Sequence, residues 1–441
     1  MTETRMPPGP PLPRAIQTAG FMIGGMRFLE ACRRRYGDAV TFGTVFDNRF
    51  VMLFDPDLVK ELFQGSAERL HAGEANAMLG PIVGQRSVLL LDGAEHLRHR
   101  RLLLPPFHGP RMQGYAELML ESTDLEIDAW PVREPFPMIP TMQSLTLRVI
   151  TRAVFGFQAG AEEQELRERL RAMIDPVGRP RGMIVLFMLT RRRSDRPGVR
   201  RFEESRRAVD EILFAEIARR RADSALADRD DVFSALLLAE DEHGERLSDQ
   251  EVRDELMTLL LAGHETTATG LAWTFDLLLH HPAVHKRALE GDDAYLDAVV
   301  KESLRMRPVI PGVGRVVSGE PLALNGWVIP PGVEINPSIR IMHQRDDLYP
   351  DAAAFRPERF LGADAPDTYT WIPFGGGTRR CLGASFAQME MRTVLRRVLE
   401  RCALRASDPK LDEVQFRGIT QAPRNGVMVT QDREPRAGSG R

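Results

Sequence analysis

The long apolar helix predicted between Ser248 and His281 is the feature that most restricts the folds open to this chain. Ser248 and Glu251 form the Ser-x-x-Glu pattern of a capping box, and the helical pattern then continues until Pro282 stops it. A helix of about 34 residues is roughly 50 Å long. It can therefore cross a whole domain, and we predict a fold built around it.

A short polar segment interrupts the apolar pattern in the middle of this helix. The segment reads Ala262-Gly263-His264-Glu265-Thr266-Thr267, and the leucine and phenylalanine residues on both sides of it indicate that the helix is buried. Hydroxyl groups and water can enter a helix at such a point, so we predict a local distortion of the hydrogen-bond ladder. A surface patch is the alternative interpretation.

The rest of the chain predicts mainly α structure with small β-sheets, an α+β fold. Short strand patterns occur near the N-terminus, around the turn Asn325-Gly326 and after Asp408, whereas helical spacing dominates elsewhere. No linker divides the 441 residues, so we predict a single large domain. The predicted divisions are a proline-rich lead-in at 1–20, the domain at 21–432, which begins with a helix over Met26–Tyr36, and a disordered tail at 433–441.

Composition excludes several classes of protein. The formal net charge of −3 argues against a general nucleic-acid binder. The three cysteines, Cys32, Cys381 and Cys402, are far apart, which disfavours a disulfide framework or zinc site and favours a reducing compartment, the cytoplasm. The most apolar run near the N-terminus, Ala19 to Phe28, is too short to span a bilayer, so we expect no membrane anchor.

The segment Trp371 to Arg392 carries the strongest chemical signal. Three consecutive glycines and two arginines precede Cys381, and a helical pattern follows it, so the thiol is predicted at a helix N-terminus. The helix dipole and the flanking Arg379 and Arg380 would favour the thiolate, a ligand or nucleophile. Glycines on both sides of the sulfur would leave room for a flat cofactor. A small buried cysteine in a glycine loop is the alternative interpretation.

The spacing Phe374-x-x-Gly377-x-Arg379-x-Cys381-x-Gly383 resembles the haem-binding loop of the cytochrome P450 family, in which the cysteine is the axial ligand of the haem iron. The resemblance extends over nearly the whole chain. It implies the fold of that family, haem b as the cofactor, and Cys381 as the metal ligand. The loop residues expected to contact the cofactor are Phe374, Gly375, Arg379, Cys381 and Gly383.

Further motifs follow in the order found in that family. The resemblance implies that His96 and Arg100, four residues apart on one helix face, grip the haem propionates together with Arg315. A solvated basic face is the alternative for His96 and Arg100. On the long helix, Ala262 would contact the cofactor, and Glu265 with Thr266 matches the acid–alcohol pair of the oxygen-activation motif.

The resemblance also implies structural and pocket-lining segments. Glu302, Arg305 and Arg359 match a buried ionic network behind the haem loop. The alternative for Glu302 and Arg305, which are three residues apart on one helix, is an exposed ion pair that contributes little to stability. Three segments match parts of the family that surround the substrate: a loop at 71–85, an apolar lid at 182–189, for which core packing is the alternative, and a loop at 415–420 that enters the pocket.

These patterns predict a haem-thiolate monooxygenase that hydroxylates or epoxidises a hydrophobic small molecule with O2. The apolar residues of the segments expected to line the pocket favour a fatty acid, a terpenoid or a steroid-like molecule as the substrate. A peroxide-driven haem peroxygenase is an alternative, against which the presence of Glu265 and Thr266 counts. A non-catalytic haem-binding protein is another.

Electrons are expected from a separate protein, because no G-x-G-x-x-G follows a strand to hold a dinucleotide. We expect a ferredoxin or flavodoxin with its reductase, acting on a monomer. A basic docking patch is predicted on the cysteine side of the haem, with a plain solvated face as the alternative. Its arginines are Arg98, Arg101, Arg392, Arg396, Arg397 and Arg401.

Overall fold

The structure is a computed structural model that describes residues 5–45, 49–107, 109, 111–157, 160–174, 176, 189 and 197–432. The α-helices are α1 Arg14–Ala19, α2 Gly25–Tyr36, α3 Pro56–Phe63, α4 Ala72–Ala75, α5 Gly80–Val83, α6 Gly93–Leu103, α7 Arg111–Ile127, α8 Met138–Phe155, α9 Ala161–Ile174, α10 Pro197–Arg221, α11 Val232–Leu238, α12 Asp249–Leu279, α13 Pro282–Glu290, α14 Asp293–Met306, α15 Ile339–Met342 and α16 Ala384–Arg401.

The strands are short. They are β1 Ala39–Phe42, β2 Phe50–Leu53, β3 Leu70–His71, β4 Pro135–Pro137, β5 Arg315–Val317, β6 Leu322–Leu324, β7 Trp327–Ile329, β8 Glu334–Pro337, β9 Leu404–Ala406, β10 Val414–Arg417, β11 Thr420–Pro423 and β12 Met428–Gln431. The largest described sheet has the order β1-β2-β8-β5-β3, and another has the order β4-β12-β9. The hairpins β6–β7 and β10–β11 stand apart. The prediction of a mainly α fold with small sheets is confirmed.

The central helix is α12, which forms close to the predicted bounds. Ser248 caps it, with its hydroxyl accepting from the Glu251 backbone N–H and the Glu251 carboxylate accepting from the Ser248 backbone N–H. The helix has 31 residues and packs against α8, α14 and α16, among others. Most of its side chains are buried, as the apolar pattern predicts.

The chain is helical throughout the polar segment, so α12 is not broken there. The Thr266 hydroxyl donates a hydrogen bond to the Ala262 carbonyl four residues earlier, at 2.6 Å. This is the kind of hydroxyl contact with the backbone that the sequence predicts at this point, and such bonds tend to bend a helix without breaking it.

The N-terminal region is more ordered than the sequence suggests. Helical structure begins at Arg14, inside the predicted proline-rich lead-in, and a short π-helical stretch at Gly20–Gly24 leads into α2. The carbonyls of Pro7 and Pro8 accept hydrogen bonds from the side chain and backbone of Thr41, so the lead-in packs against β1. No helix in the described part of the chain combines the length and apolarity needed to cross a membrane.

Of two segments predicted to surround the substrate, one is described by the structure and the other almost entirely is not. The loop at 71–85 contains short helical turns, α4 and α5, instead of irregular chain. The predicted lid at 182–189 lies outside the described residues except for Leu189, and so does the tail at 433–441.

A buried ionic network stands behind the cysteine loop, as predicted. Glu302 and Arg305 of α14 form a fully buried pair at 2.7 Å, and Arg359 reaches the same carboxylate at 3.2 Å. Arg305 also donates to the His343 carbonyl at 2.6 Å. The His343 ring then accepts the Ile372 N–H at 3.0 Å, which connects the network to the start of the cysteine loop.

Candidate active site

The cysteine loop presents Cys381 just before α16. The Cys381 backbone N–H donates to the Phe374 carbonyl at 2.9 Å, which closes the loop. The helix proper begins at Ala384, so the thiol lies three residues before it, not in its first turn. Burial raises the pKa of the Cys381 thiol, and the Gly383 N–H and the nearby arginine charges act against that rise. The Gly383 N–H and the arginine charges thus favour the thiolate, whereas burial opposes it.

The two arginines beside the cysteine have different roles. The Arg380 charge, together with that of Arg100, favours the Cys381 thiolate. Arg379 instead binds the Asp92 carboxylate and donates to the Val88 carbonyl at 3.2 Å. Coordination of Cys381 to a metal ion would favour the thiolate further, because coordination deprotonates a thiol.

The glycines divide into two groups. A Cβ at Gly376 or Gly377 would come within 2.2 Å of Phe63 on α3, so these two glycines pack against protein. A Cβ at Gly375 would come only within 3.9 Å of Val313, and a Cβ at Gly383 would meet nothing within 4 Å. Cys381 itself is exposed. Open space therefore borders the thiol on the Gly383 side.

A cluster of cationic side chains surrounds His96. The imidazole is buried, and its pKa is lowered to about 3 by burial first and then by the charges of Arg379, Arg100 and Arg315. Burial and the Arg379 charge lower the pKa of Arg315 to about 10, while the Asp92 carboxylate acts in the opposite direction. The structure thus brings together the three residues predicted to bind the propionates, and it adds Arg379 of the cysteine loop to them.

The charges of this cluster are not balanced. Asp92 is the carboxylate that acts on Arg315 and Arg379, and it already accepts the Gly73 backbone N–H at 2.8 Å. His96 Nδ1 is buried and has no hydrogen-bond partner among the residues that the structure describes. A buried cluster of this kind calls for anionic groups from a ligand. The two propionates of a haem fit that requirement.

The middle of α12 borders open space as well. Ala262 is exposed and Thr266 is partly exposed, although the turns on either side of them are buried. On an adjacent part of the helix, a Cβ at Gly263 would come within 2.9 Å of Ile150, so that side is closely packed. An exposed alanine in the middle of a mostly buried helix shows that open space lies next to Ala262 and Thr266, and we call this space the cavity beside α12. The residues present therefore fit a haem held by Cys381.

Glu265 points away from Thr266 toward two other elements. Its carboxylate accepts from Gln143 Nε2 of α8 at 2.7 Å and forms an ion pair with Arg417 Nε of β10 at 3.3 Å. The 415–420 segment, which contains Arg417, is predicted to lie at the pocket, but neither Arg417 nor Gln143 is predicted as a partner of Glu265. No local pattern could have found them, because their contact with Glu265 is formed only by the tertiary fold.

The predicted basic patch is largely neutralised. Arg98 pairs with Asp241, Arg101 with Glu242 and Arg396 with Asp293. Asp124 pairs with both Arg397 and Arg401. Arg392 has no ion pair to another described residue. The patch is therefore weaker than the arginine count alone suggests.

Comparison with known proteins identifies the class of protein. The family profile described as Cytochrome P450 matches residues 7–429. Cytochrome P450 135B1 of Mycobacterium tuberculosis is 40% identical over 437 residues, covering 96% of this chain and 91% of that protein. Cytochrome P450 137 of the same species is 38% identical, covering 96% and 90%.

Solved structures agree with this assignment. The haem domain of cytochrome P450DA has a TM-score of 0.82 at 23% identity, covering 98% of each chain. A retinoic acid-bound cyanobacterial CYP120A1 has a TM-score of 0.79 at 22% identity, covering 97% of this chain and 99% of that one. The chain belongs to the cytochrome P450 family. It is accordingly a haem-thiolate monooxygenase, an oxidoreductase.

Proposed function

We propose that the protein binds haem b through Cys381 and hydroxylates or epoxidises a hydrophobic small molecule with O2. The observation that carries this proposal is the open space beside Cys381 and Gly383, together with the unbalanced cationic cluster around His96. A thiol with free space next to it and a set of cations suited to two carboxylates are the requirements of a haem-thiolate site.

Each protein group has a definite task in this proposal. Haem b, when bound, supplies the iron at which dioxygen is reduced and split. Cys381 provides the sulfur ligand, and Phe374 fixes the loop through its carbonyl. His96, Arg100, Arg315 and Arg379 orient the cofactor through its propionates, while Gly375, Gly383 and Ala262 leave room for its ring.

Proton delivery is the task of Glu265 and Thr266. The Thr266 hydroxyl donates its one hydrogen bond to the Ala262 carbonyl, so the lone pairs of its oxygen remain to accept a hydrogen bond from a water at the cavity wall. Glu265 carries protons toward this water from the side of Gln143 and Arg417. These two side chains hold the carboxylate in one orientation.

The substrate is proposed to be a fatty acid, a terpenoid or a steroid-like molecule. The support is the apolar character of the segments near the cavity. Leu259 and Leu261 of α12 are partly exposed beside Ala262, and the β10–β11 hairpin that reaches Glu265 through Arg417 exposes Phe416 and Ile419. Apolar surface of this kind selects an apolar ligand.

The electron donor is proposed to be a ferredoxin or flavodoxin with its reductase. Arg380, exposed next to Cys381, and Arg392 on α16 support docking of an acidic partner on this side. We further propose a cytoplasmic monomer. The support is that the three cysteines are free, as expected in a reducing compartment.

The direct test is the absorbance spectrum of the reduced, CO-bound protein. Thiolate ligation gives a strongly red-shifted main band, and Cys381→Ser is expected to remove it. Cys402→Ser is the matched control, because Cys402 is a buried core residue at the end of α16. Retention of the band in Cys381→Ser, or its loss in both variants, would contradict the assignment of the ligand.

A further inference from the structure

The N-terminal helical stretch carries its apolar side chains on the outside. Met22 is 77% exposed, Ile23 is 88% exposed and Ile16 is 52% exposed. Gln17 and Thr18 between them are buried. The hydrophobic effect favours the opposite arrangement, so this inversion requires an explanation.

Specific contacts fix the buried side of this stretch. The Gln17 side chain accepts the Gly43 N–H at 3.0 Å, and Thr18 Oγ1 accepts the Val45 N–H at 3.1 Å. Phe21 packs edge-on against Phe42 of β1, with ring centroids 5.0 Å apart. The stretch is thus anchored firmly, and its outward face is a fixed feature of the fold.

The outward residues form one apolar surface. Ile16, Ala19 and Ile23 recur at spacings of three and four residues, Leu12 lies just before α1, and all four are exposed. We call the exposed side chains of Leu12, Ile16, Met22 and Ile23 the N-terminal apolar face. Elsewhere on the described chain the large exposed apolar residues stand alone or in pairs, whereas four lie within twelve positions of one another here.

The charge of the same region has a strong bias. Between Arg5 and Tyr36 the sequence contains six arginines and one glutamate, although the whole chain has a formal net charge of −3. Glu30 is already bound by Arg33 and Arg34. Arg27 follows Ile23 by one turn and is exposed, and Arg35 is exposed near the other end of α2.

From these observations we propose that the N-terminal apolar face docks on the surface of a lipid bilayer that contains anionic lipids. The apolar side chains enter the boundary between headgroups and acyl chains, and the arginines of α2 contact the negative headgroups. The charge bias favours an anionic membrane over a neutral one. The protein lies on the bilayer and does not cross it. Such docking would bring the enzyme to the phase in which apolar compounds dissolve.

The test is co-sedimentation of the full-length protein with vesicles. We expect binding to phosphatidylglycerol-containing vesicles, weaker binding to pure phosphatidylcholine vesicles, and release by high salt. Met22→Gln with Ile23→Gln is expected to weaken binding roughly tenfold or more, because two apolar side chains no longer enter the bilayer. Arg27→Gln with Arg35→Gln is expected to remove the preference for anionic vesicles.

Leu289→Gln is the matched control, since Leu289 of α13 is 54% exposed outside this face and its loss should leave binding unchanged. Melting temperature and CO spectrum of each variant show that it is folded. Three outcomes would overturn the proposal: no binding to either vesicle, equal loss in Leu289→Gln, or a dimer in sedimentation velocity that Met22→Gln with Ile23→Gln abolishes. The last would show that the face binds a second copy of the chain.

Discussion

At the scale of single residues, the sequence predicts what lies close together in the chain and misses what the fold brings together. The Cys381 loop was found because its ligand and glycines fall within ten residues. The partner of Glu265 on α8, Gln143, is 122 positions away, so no spacing could reveal it. The same holds for Arg379, whose salt bridge with Asp92 turns it away from the thiol that it was expected to activate.

Thr266→Ala tests the proton-delivery hydroxyl. We expect haem binding, the CO spectrum and electron uptake to stay almost unchanged, while product per NAD(P)H falls roughly tenfold and hydrogen peroxide rises. Thr274→Ala is the matched control, because Thr274 makes the same back-bond, to the Gly270 carbonyl at 2.9 Å, on a buried turn of α12. Equal yields for the two variants would mean that Thr266 only packs the helix.

Arg417→Gln tests the orientation and charge of Glu265. Removing the cation 3.3 Å from the carboxylate frees Glu265 from one of the two side chains that hold its orientation, so we expect product per NAD(P)H to fall severalfold and hydrogen peroxide to rise. His264 does not replace Glu265 as the proton carrier, because burial, followed by the charges of Arg171, Arg417 and Arg167, lowers its pKa to about 3.

The yield of product per NAD(P)H is the measurement. Arg424→Gln is the control, since Arg424 follows β11 and pairs with exposed Glu413. Arg417→Lys should restore the original yield. If Glu265→Gln lowers the yield but Arg417→Gln does not, Arg417 has no part in proton delivery.

At the scale of elements, helices with clear stop and start signals were predicted closely, and those without them were not. The capping box and Pro282 set the bounds of α12 to within two residues, observed as Asp249–Leu279. The helical structure from Arg14 was missed because prolines and glycines surround it. There the side-chain bonds of Gln17 and Thr18 to the backbone after β1 supply the stability that local propensity lacks.

Glu302→Ala tests the network that holds α14 to the segment before the cysteine loop. Its loss leaves Arg305 and Arg359 buried without a counter-charge, which costs about 3–5 kcal/mol. That is a large part of the roughly 5–15 kcal/mol that stabilises a typical domain. We expect little soluble, haem-loaded protein.

Glu358→Ala is the control for this prediction. Glu358 belongs to the same segment as Arg359, but its pair with Arg287 is about half exposed. Glu358 also accepts a hydrogen bond from the Tyr295 hydroxyl at 3.2 Å, so its removal should cost about 1–2 kcal/mol in all. Urea unfolding of both variants gives the comparison. A Glu302→Ala protein as stable as Glu358→Ala would show that the network does not hold the fold.

At the scale of the whole molecule, the class of fold was predictable but the pairing of its distant parts was not. Parallel pairing of β2 with β8 joins Phe50 to Glu334, and neither strand pattern specifies the other. The same limit applies to surface charge, because Asp124 of α7 neutralises Arg397 and Arg401 of α16 only after the helices pack. An arginine count on one helix therefore overstates the positive potential of that side.

Arg380 and Arg392 are accordingly the arginines expected to guide an acidic electron donor. Arg380→Glu with Arg392→Glu should lower the rate constant for reduction by a ferredoxin by roughly tenfold at low ionic strength, because electrostatic attraction raises association rates. The difference from wild type should shrink as salt is added.

Arg200→Glu is the control, since Arg200 is 72% exposed on α10 and its weak pair with Glu204 is 4.0 Å long. Stopped-flow reduction measures all three proteins. Equal slowing by Arg200→Glu would show that total charge acts and not a local site, and insensitivity to both salt and mutation would place the docking surface elsewhere.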